Sequence, residues 1–424
     1  MNRNAVVLLP YLKETATNRS PEARLSEAVA LTAAIDLTVV HHEAIALREI
    51  KANTYLGKGT IERLEPIIHD NDVEVVIVAC ALSPLQQRNL EKAWNTKVID
   101  KTALILEIFG QRARTREGVL QVELAHLTYA RSRLVRSWTH LERQRGGSGF
   151  LGGPGETQIE LDRRLIDDDI LKIKKELTEV KKTRELHRKA RRRIPYPIVA
   201  LVGYTNAGKS TLFNTLTQSD VFAKDMLFAT LDPTMRHVRL PNGTEVILSD
   251  TVGFISDLPT ELVMAFRATL EEVLEADIIV HVRDYSHPDT AAQKQDVESV
   301  LSDLGVKDKV DAGLIEVLNK IDLLETDEQH RICTQKNRYD KEWPISAKTG
   351  EGIHDFLCRI ENELMKEYQT VDLFIPIERG DILAALYRKG QVLFRKDGTK
   401  NIHITVSLPP KDISIFKEYE RKKK

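Results

Sequence analysis

Cysteine is scarce in this chain: its 424 residues include three, Cys80, Cys333 and Cys358, widely separated and in no CxxC or Cys/His arrangement. That argues against a disulfide framework or a structural zinc site and suits a reducing compartment. Long apolar runs are also missing. Nothing approaches the roughly 18 consecutive apolar residues that span a bilayer, and the run at residues 5–9 is too short for the hydrophobic region of a secretion signal. A cytoplasmic chain with no membrane span is the expectation. An excess of one charge is lacking as well: Lys+Arg number 62 and Asp+Glu 63, a formal net charge of −1. Overall charge therefore names no partner, and any electrostatic argument rests on local patches. His41 and His42 stand without a matching ligand cluster and read as surface or strand residues.

Hydrophobic residues make up 42% of the chain, enough to build cores, and the length suggests two to four folded units. No repeat of solenoid length is present. The β-rich runs at 5–9, 37–41, 74–81 and 97–99 alternate with helical patterns at 21–34, 60–69 and 84–94, which predicts an α/β domain with parallel pairing over residues 1–101. Ser83 reads as an N-cap with Pro84 at the first helical position. From 102 to about 145, apolar residues recur at helical spacing among many charges, and a second such segment covers 156–193. Between them the glycines of 145–155, with Pro154, oppose a helix. The expectation is an antiparallel helical hairpin over 102–194 with a glycine-rich tip loop at 146–155. Pro195 and Pro197 open a third unit, 195–368, of alternating strands and helices in a mainly parallel, doubly wound sheet. Residues 369–424 read as a small C-terminal α/β unit.

Gly203-Tyr204-Thr205-Asn206-Ala207-Gly208-Lys209-Ser210, followed by Thr211, fits GxxxxGK[ST] after a strand at 198–202 and before a helix. In that setting backbone N–H groups and the helix N-terminus surround phosphate oxygens, Lys209 supplies positive charge and Ser210 can ligate magnesium. A strand at 245–249 runs into Asp250-Thr251-Val252-Gly253. An acidic residue at that sheet edge can hold magnesium through water, and Gly253 permits close approach to a γ-phosphate. Asn319-Lys320-Ile321-Asp322 follows another strand. Asp322, acceptor-only, can take hydrogen bonds from guanine N1–H and its exocyclic amine, which adenine cannot offer. The stem of Lys320 would cover a face of the base. Ser346-Ala347-Lys348 would turn backbone N–H groups toward guanine O6. Phe228-Ala229-Thr230-Leu231-Asp232 contains the favoured magnesium-closing threonine, Thr230, with Thr234 as the alternative. The order of these elements predicts a magnesium-dependent site for GTP.

Together with Tyr55-Leu56-Gly57-Lys58-Gly59, Gln121-Val122-Glu123-Leu124-Ala125 and the glycine-rich segment, these motifs closely resemble the HflX GTPases over nearly the whole chain. The resemblance implies a GTP hydrolase that binds the large ribosomal subunit and its rRNA and dissociates stalled ribosomes, notably under heat stress. It also implies that the tip reaches the peptidyl-transferase region. ATP binding through the N-terminal region has been linked to such proteins, although no second Walker motif is visible. The Tyr55–Gly59 turn reads either as a phosphate-contacting turn or as a structural loop.

Where many GTPases place a water-orienting glutamine, this chain has Phe254, which cannot orient water by hydrogen bonding. The hydrolytic group is therefore unknown from sequence, and turnover should be slow until a partner completes the site. The basic run of Lys172, Lys174, Lys175, Lys181, Lys182, Arg184, Arg188, Lys189, Arg191, Arg192 and Arg193 suits RNA phosphates. Arg112, Arg114, Arg116, Arg131, Arg133, Arg136, Arg143 and Arg145 add to that field, and Phe150 at the tip could stack on a base. Two other readings stay open: a GTP-regulated, rRNA-binding assembly factor of the large subunit, and a signalling GTPase with a protein partner.

Overall fold

The computed structural model describes residues 3–13, 19–144, 154–191, 196–218, 228, 234–256, 272–306, 314–335, 342–366, 368–408 and 410–420. Its first sheet is formed by β1 (Arg3–Leu12), β2 (Leu37–Leu47), β3 (Val73–Val78) and β4 (Lys97–Asp100), all parallel, in the order β2-β1-β3-β4. Side chains alternate across a strand, so β1 feeds two cores. Ala5, Val7 and Leu9 join Leu31 of α1 (Pro21–Ala33) and Ile105 and Phe109 of α4 (Lys101–Arg112). Val6 and Leu8 join Leu64 of α2 (Lys58–Asp70) and Trp94 of α3 (Pro84–Trp94). Helix α3 begins as its sequence signals: Ser83 and Gln86 form a reciprocal capping box with Pro84 in the first turn.

The hairpin departs from expectation at both ends. Residues 101–112 form α4, whose Leu104, Ile105, Ile108 and Phe109 are buried in the first unit's core, so the arm itself begins with α5 (Arg116–Gln144). The returning helix, α6 (Pro154–Arg191), starts inside the stretch read as non-helical, because proline is tolerated where the first N–H has no helical partner. Leu120, Ile173 and Leu177 are buried between α5 and α6, and the pairs Arg116–Glu176 and Arg131–Asp167 fix an antiparallel register. The tip residues 146–153, with Phe150, lie outside the described residues.

The second sheet runs β10-β9-β8-β5-β7-β6, composed of β5 (Ile198–Val202), β6 (Thr234–Arg239), β7 (Glu245–Asp250), β8 (Ile278–Asp284), β9 (Ile315–Asn319) and β10 (Glu342–Pro344). All neighbours are parallel except β6 against β7. Helix α7 (Lys209–Thr217) leaves the carboxyl end of β5, and α8 (Thr290–Leu301) follows β8. Val202, Phe254, Val297 and Leu301 belong to the same buried cluster as Leu31 and Phe109, so this sheet shares one core with the first. The last unit is an antiparallel sheet of Gln369–Pro376, Asn401–Leu408 and Gln391–Asp397, packed on helices Gly380–Lys389 and Pro410–Phe416.

Candidate nucleotide site

Four loops gather at the carboxyl ends of β5, β7 and β9 and beyond β10, the edge where open parallel sheets bind ligands. The loop after β5 is shaped by close approach. Gly203 has φ +152°, and a Cβ there would lie 2.1 Å from the carbonyl oxygen of Val282. Lys209, buried in the first turn of α7, donates from Nζ to the carbonyls of Gly203 at 3.1 Å and Tyr204 at 2.8 Å, encircling the loop from within. Burial pushes its ammonium down to about 8, opposed by the charge of Asp250.

Ser210 Oγ donates to Asp250 Oδ2 at 2.7 Å. Asp250 is fully buried at the end of β7. A hydroxyl and a carboxylate held together beside a phosphate-type loop are the hard oxygen donors that suit magnesium. The chain then passes to Gly253, where a Cβ would lie 2.8 Å from Thr205 Cα and 3.1 Å from Lys209 Nζ, so only glycine lets this segment close on the loop. Phe254 extends the closure: its N–H donates to Gly203 O at 3.1 Å, and its carbonyl accepts from Thr205 N–H at 2.8 Å. The Phe254 ring is buried in the shared core.

Asn319 ties the base end to the phosphate end. Its Nδ2 donates to Ala207 O at 2.8 Å, and its Oδ1 accepts from Ala347 N–H at 2.9 Å. The latter N–H, read as facing guanine O6, is thus committed to Asn319. Asp322 Oδ1 accepts from Ser346 Oγ at 2.6 Å, while Lys320 Nζ pairs with Asp284 at 2.8 Å, a partner that no nucleotide motif signals. Ile321 is buried beneath, and Lys348 is exposed.

Of the segment 228–232, only Phe228 is described; Ala229, Thr230, Leu231 and Asp232 lie outside the described residues. Phe228 is buried with its ring edge-on to Phe109 of α4, at a centroid distance of 4.9 Å. Thr234 opens β6 with Asp250 as its register partner. In the Tyr55–Gly59 turn, Leu56 is buried, Gly57 caps α2, and Lys58 is largely exposed, pairing with Glu62 at 3.5 Å. Several arginines counted toward an RNA field have partners within the chain, Arg116 and Arg131 while still exposed. Arg133 pairs with Asp100 at 3.2 Å, Arg112 donates to Ala34 O, and Arg116 and Arg131 hold the hairpin. Lys172, Lys174, Lys175 and Lys182 remain exposed on α6.

A strand-delivered phosphate loop, an acidic residue at the neighbouring strand end and the Asn319–Asp322 turn at the same sheet edge define the class: this is a P-loop GTPase. Family models described as "GTP-binding GTPase N-terminal", "GTP-binding GTPase Middle Region" and "50S ribosome-binding GTPase" match residues 22–110, 112–191 and 198–320. A curated relative from Magnetococcus marinus, "GTPase HflX", is 47% identical over 95% of this chain and 92% of its own length. "GTPase HflX" of Escherichia coli (strain K12) is 42% identical over 84% of this chain and 83% of its own. A solved structure of an SsGBP and GDP complex shares the fold, with a TM-score of 0.50 and 23% identity over 85% of this chain and 98% of that one. The chain belongs to the HflX family of GTPases.

Proposed function

We propose that this chain is a magnesium-dependent GTPase of the cytoplasm that binds the large ribosomal subunit and dissociates stalled ribosomes under stress. The observation that carries the reading is the joint match of all three family models, the last described as "50S ribosome-binding GTPase", to a chain whose phosphate loop, Asp250 and Asp322 converge at one sheet edge. The exposed lysines of α6 support an RNA partner by offering charge to phosphates.

In this reading Gly203–Thr211 cradles the phosphates, Lys209 leaves its own loop carbonyls for phosphate oxygens, and Gly253 reports the γ-phosphate. Ser210, and Asp250 through water, would hold magnesium, which when bound would neutralise charge on the phosphate oxygens. Thr230 would complete that site, with Thr234, beside Asp250, as the alternative. Asp322 reads guanine once its acceptor oxygens turn from Ser346 to the base. Phe254, held in the core, leaves no glutamine to orient water at its position, so the subunit supplies what the isolated site lacks.

Sedimentation of intact ribosomes with protein and GTP tests the role. Separate subunit peaks support dissociation. Unchanged ribosomes with co-migrating protein support the assembly-factor reading instead. ATP forms no part of this proposal.

A further inference from the structure

Tyr204 belongs to the phosphate loop by its backbone and to the N-terminal unit by its side chain. Its hydroxyl donates to Glu27 Oε2 on α1 and accepts from Arg19 Nη1 at 2.8 Å and from the backbone N–H of Ser256 at 2.7 Å. The second oxygen of Glu27 accepts from Lys101 Nζ at 3.1 Å and from Ser256 Oγ at 3.0 Å. Lys101 also donates to the Ser256 carbonyl at 3.0 Å. Arg19 contacts Glu27 at 3.1 Å, pairs with Asp296 of α8 at 2.7 Å, and lies 4.9 Å above the centre of the Tyr204 ring. One carboxylate, with 12% of its side chain exposed, therefore gathers two cations and two hydroxyls from four separate stretches of chain.

This arrangement is expensive to build for stability alone. Burial pushes the Glu27 carboxyl upward, and the charges of Lys101 and Arg19 with the Tyr204 hydroxyl reverse that, holding it below its ordinary value. A buried charge cluster contributes little net stability over packed apolar groups, but it fixes geometry. The geometry fixed here is that of the two nucleotide-facing loops. Tyr204 is the second residue of the phosphate loop. Ser256 lies three residues past Gly253 (256 − 253 = 3), beyond Phe254, whose backbone already pairs with Gly203 and Thr205.

We infer that Glu27 is a positioning residue for GTP hydrolysis: acting through Tyr204 and Ser256, it locks the Asp250–Ser256 segment against the phosphate loop so that Gly253 stands where a γ-phosphate binds. Glu27 acts through these two residues, whose hydroxyls it holds. Because GDP lacks the phosphate that Gly253 meets, loosening the lock weakens GTP and leaves GDP largely unaffected. The inference rests on the GTPase site and is independent of the ribosomal role.

The test uses full-length Glu27→Gln and Tyr204→Phe proteins. GDP affinity, affinity for a non-hydrolysable GTP analogue, kcat, KM and Tm are measured for each. Both variants should lose about tenfold in the ratio of GTP-analogue to GDP affinity, and a similar factor in kcat, as removal of a hydrogen bond to a charged group implies. GDP affinity should change by less than about twofold. The double variant should fall little further than either single, because both act through one contact. Tyr204→Phe removes a single oxygen and leaves Glu27 its two cations, so it reports even if Glu27→Gln does not fold. Equal loss of both nucleotides, or an unchanged affinity ratio and kcat, would overturn the inference and leave the cluster as interdomain packing.

Discussion

The hydroxyl of Ser210 and the carboxylate of Asp250 are joined by a 2.7 Å hydrogen bond that spans from the first turn of α7 to the last residue of β7. Two parallel neighbours, β5 and β7, bring them together. Ser210→Ala should lower kcat on the order of a hundredfold, since loss of a group that holds or orients a metal has effects of that size. The defect should shrink as magnesium is raised, because the surviving carboxylate still binds it. A rate that stays flat across a magnesium titration would remove Ser210 from the metal site.

Asp322 is acceptor-only, and its Oδ1 is already aligned by Ser346. Asp322→Asn replaces an acceptor with a donor, so GTP affinity should fall roughly 10⁴-fold, whereas xanthine, which carries an oxygen in place of the guanine amine, should regain affinity. Competition against a fluorescent guanine nucleotide measures both. Unchanged GTP affinity, or equal losses for both bases, would place the base elsewhere.

His281 on β8 is 1% exposed, and its Nδ1 has no hydrogen-bond partner among the described residues. Burial, followed by the charges of Arg283, Lys294 and Lys209, pushes its imidazole down to about 3 from an ordinary 6.5. The native protein therefore refuses a proton that the unfolded chain accepts between those two values. Its contribution to stability is complete above pH 6.5 and is lost as pH falls toward 3, with a slope of up to about 1.4 kcal/mol per pH unit. Denaturant unfolding at a series of pH values should give a flatter curve for His281→Leu over this interval. Parallel curves would show that another group governs acid sensitivity.

Local chemistry was legible in the sequence where spacing itself encodes geometry. Gly203 follows β5 directly, Asp250 ends β7, Lys209 opens α7 and Asp322 lies in the turn after β9, and a short motif carries the turn each requires. Ser83-Pro84 marked the start of α3 for the same reason. The misreadings arose where one pattern serves two tertiary uses. Apolar residues at helical spacing announced α4 but could not say whether it lies in the arm or beneath the first sheet. Counting arginines could not separate Arg133, paired with Asp100, from a cation facing solvent. Pro154 looked like a breaker, yet it is the first residue of α6. Glu27 was beyond reach, since 177 residues separate it from Tyr204 and only the folded chain makes them neighbours.

In the role proposed above, the GTPase site is incomplete alone and the large subunit completes it. Phe254, buried where a water-orienting group is usual, is the reason. Steady-state GTP hydrolysis by the purified protein, with and without large ribosomal subunits, tests this most directly. Turnover should be slow alone and rise at least about a hundredfold with subunits, the scale on which partner-supplied groups act in GTPases. Equal rates in both conditions would contradict it.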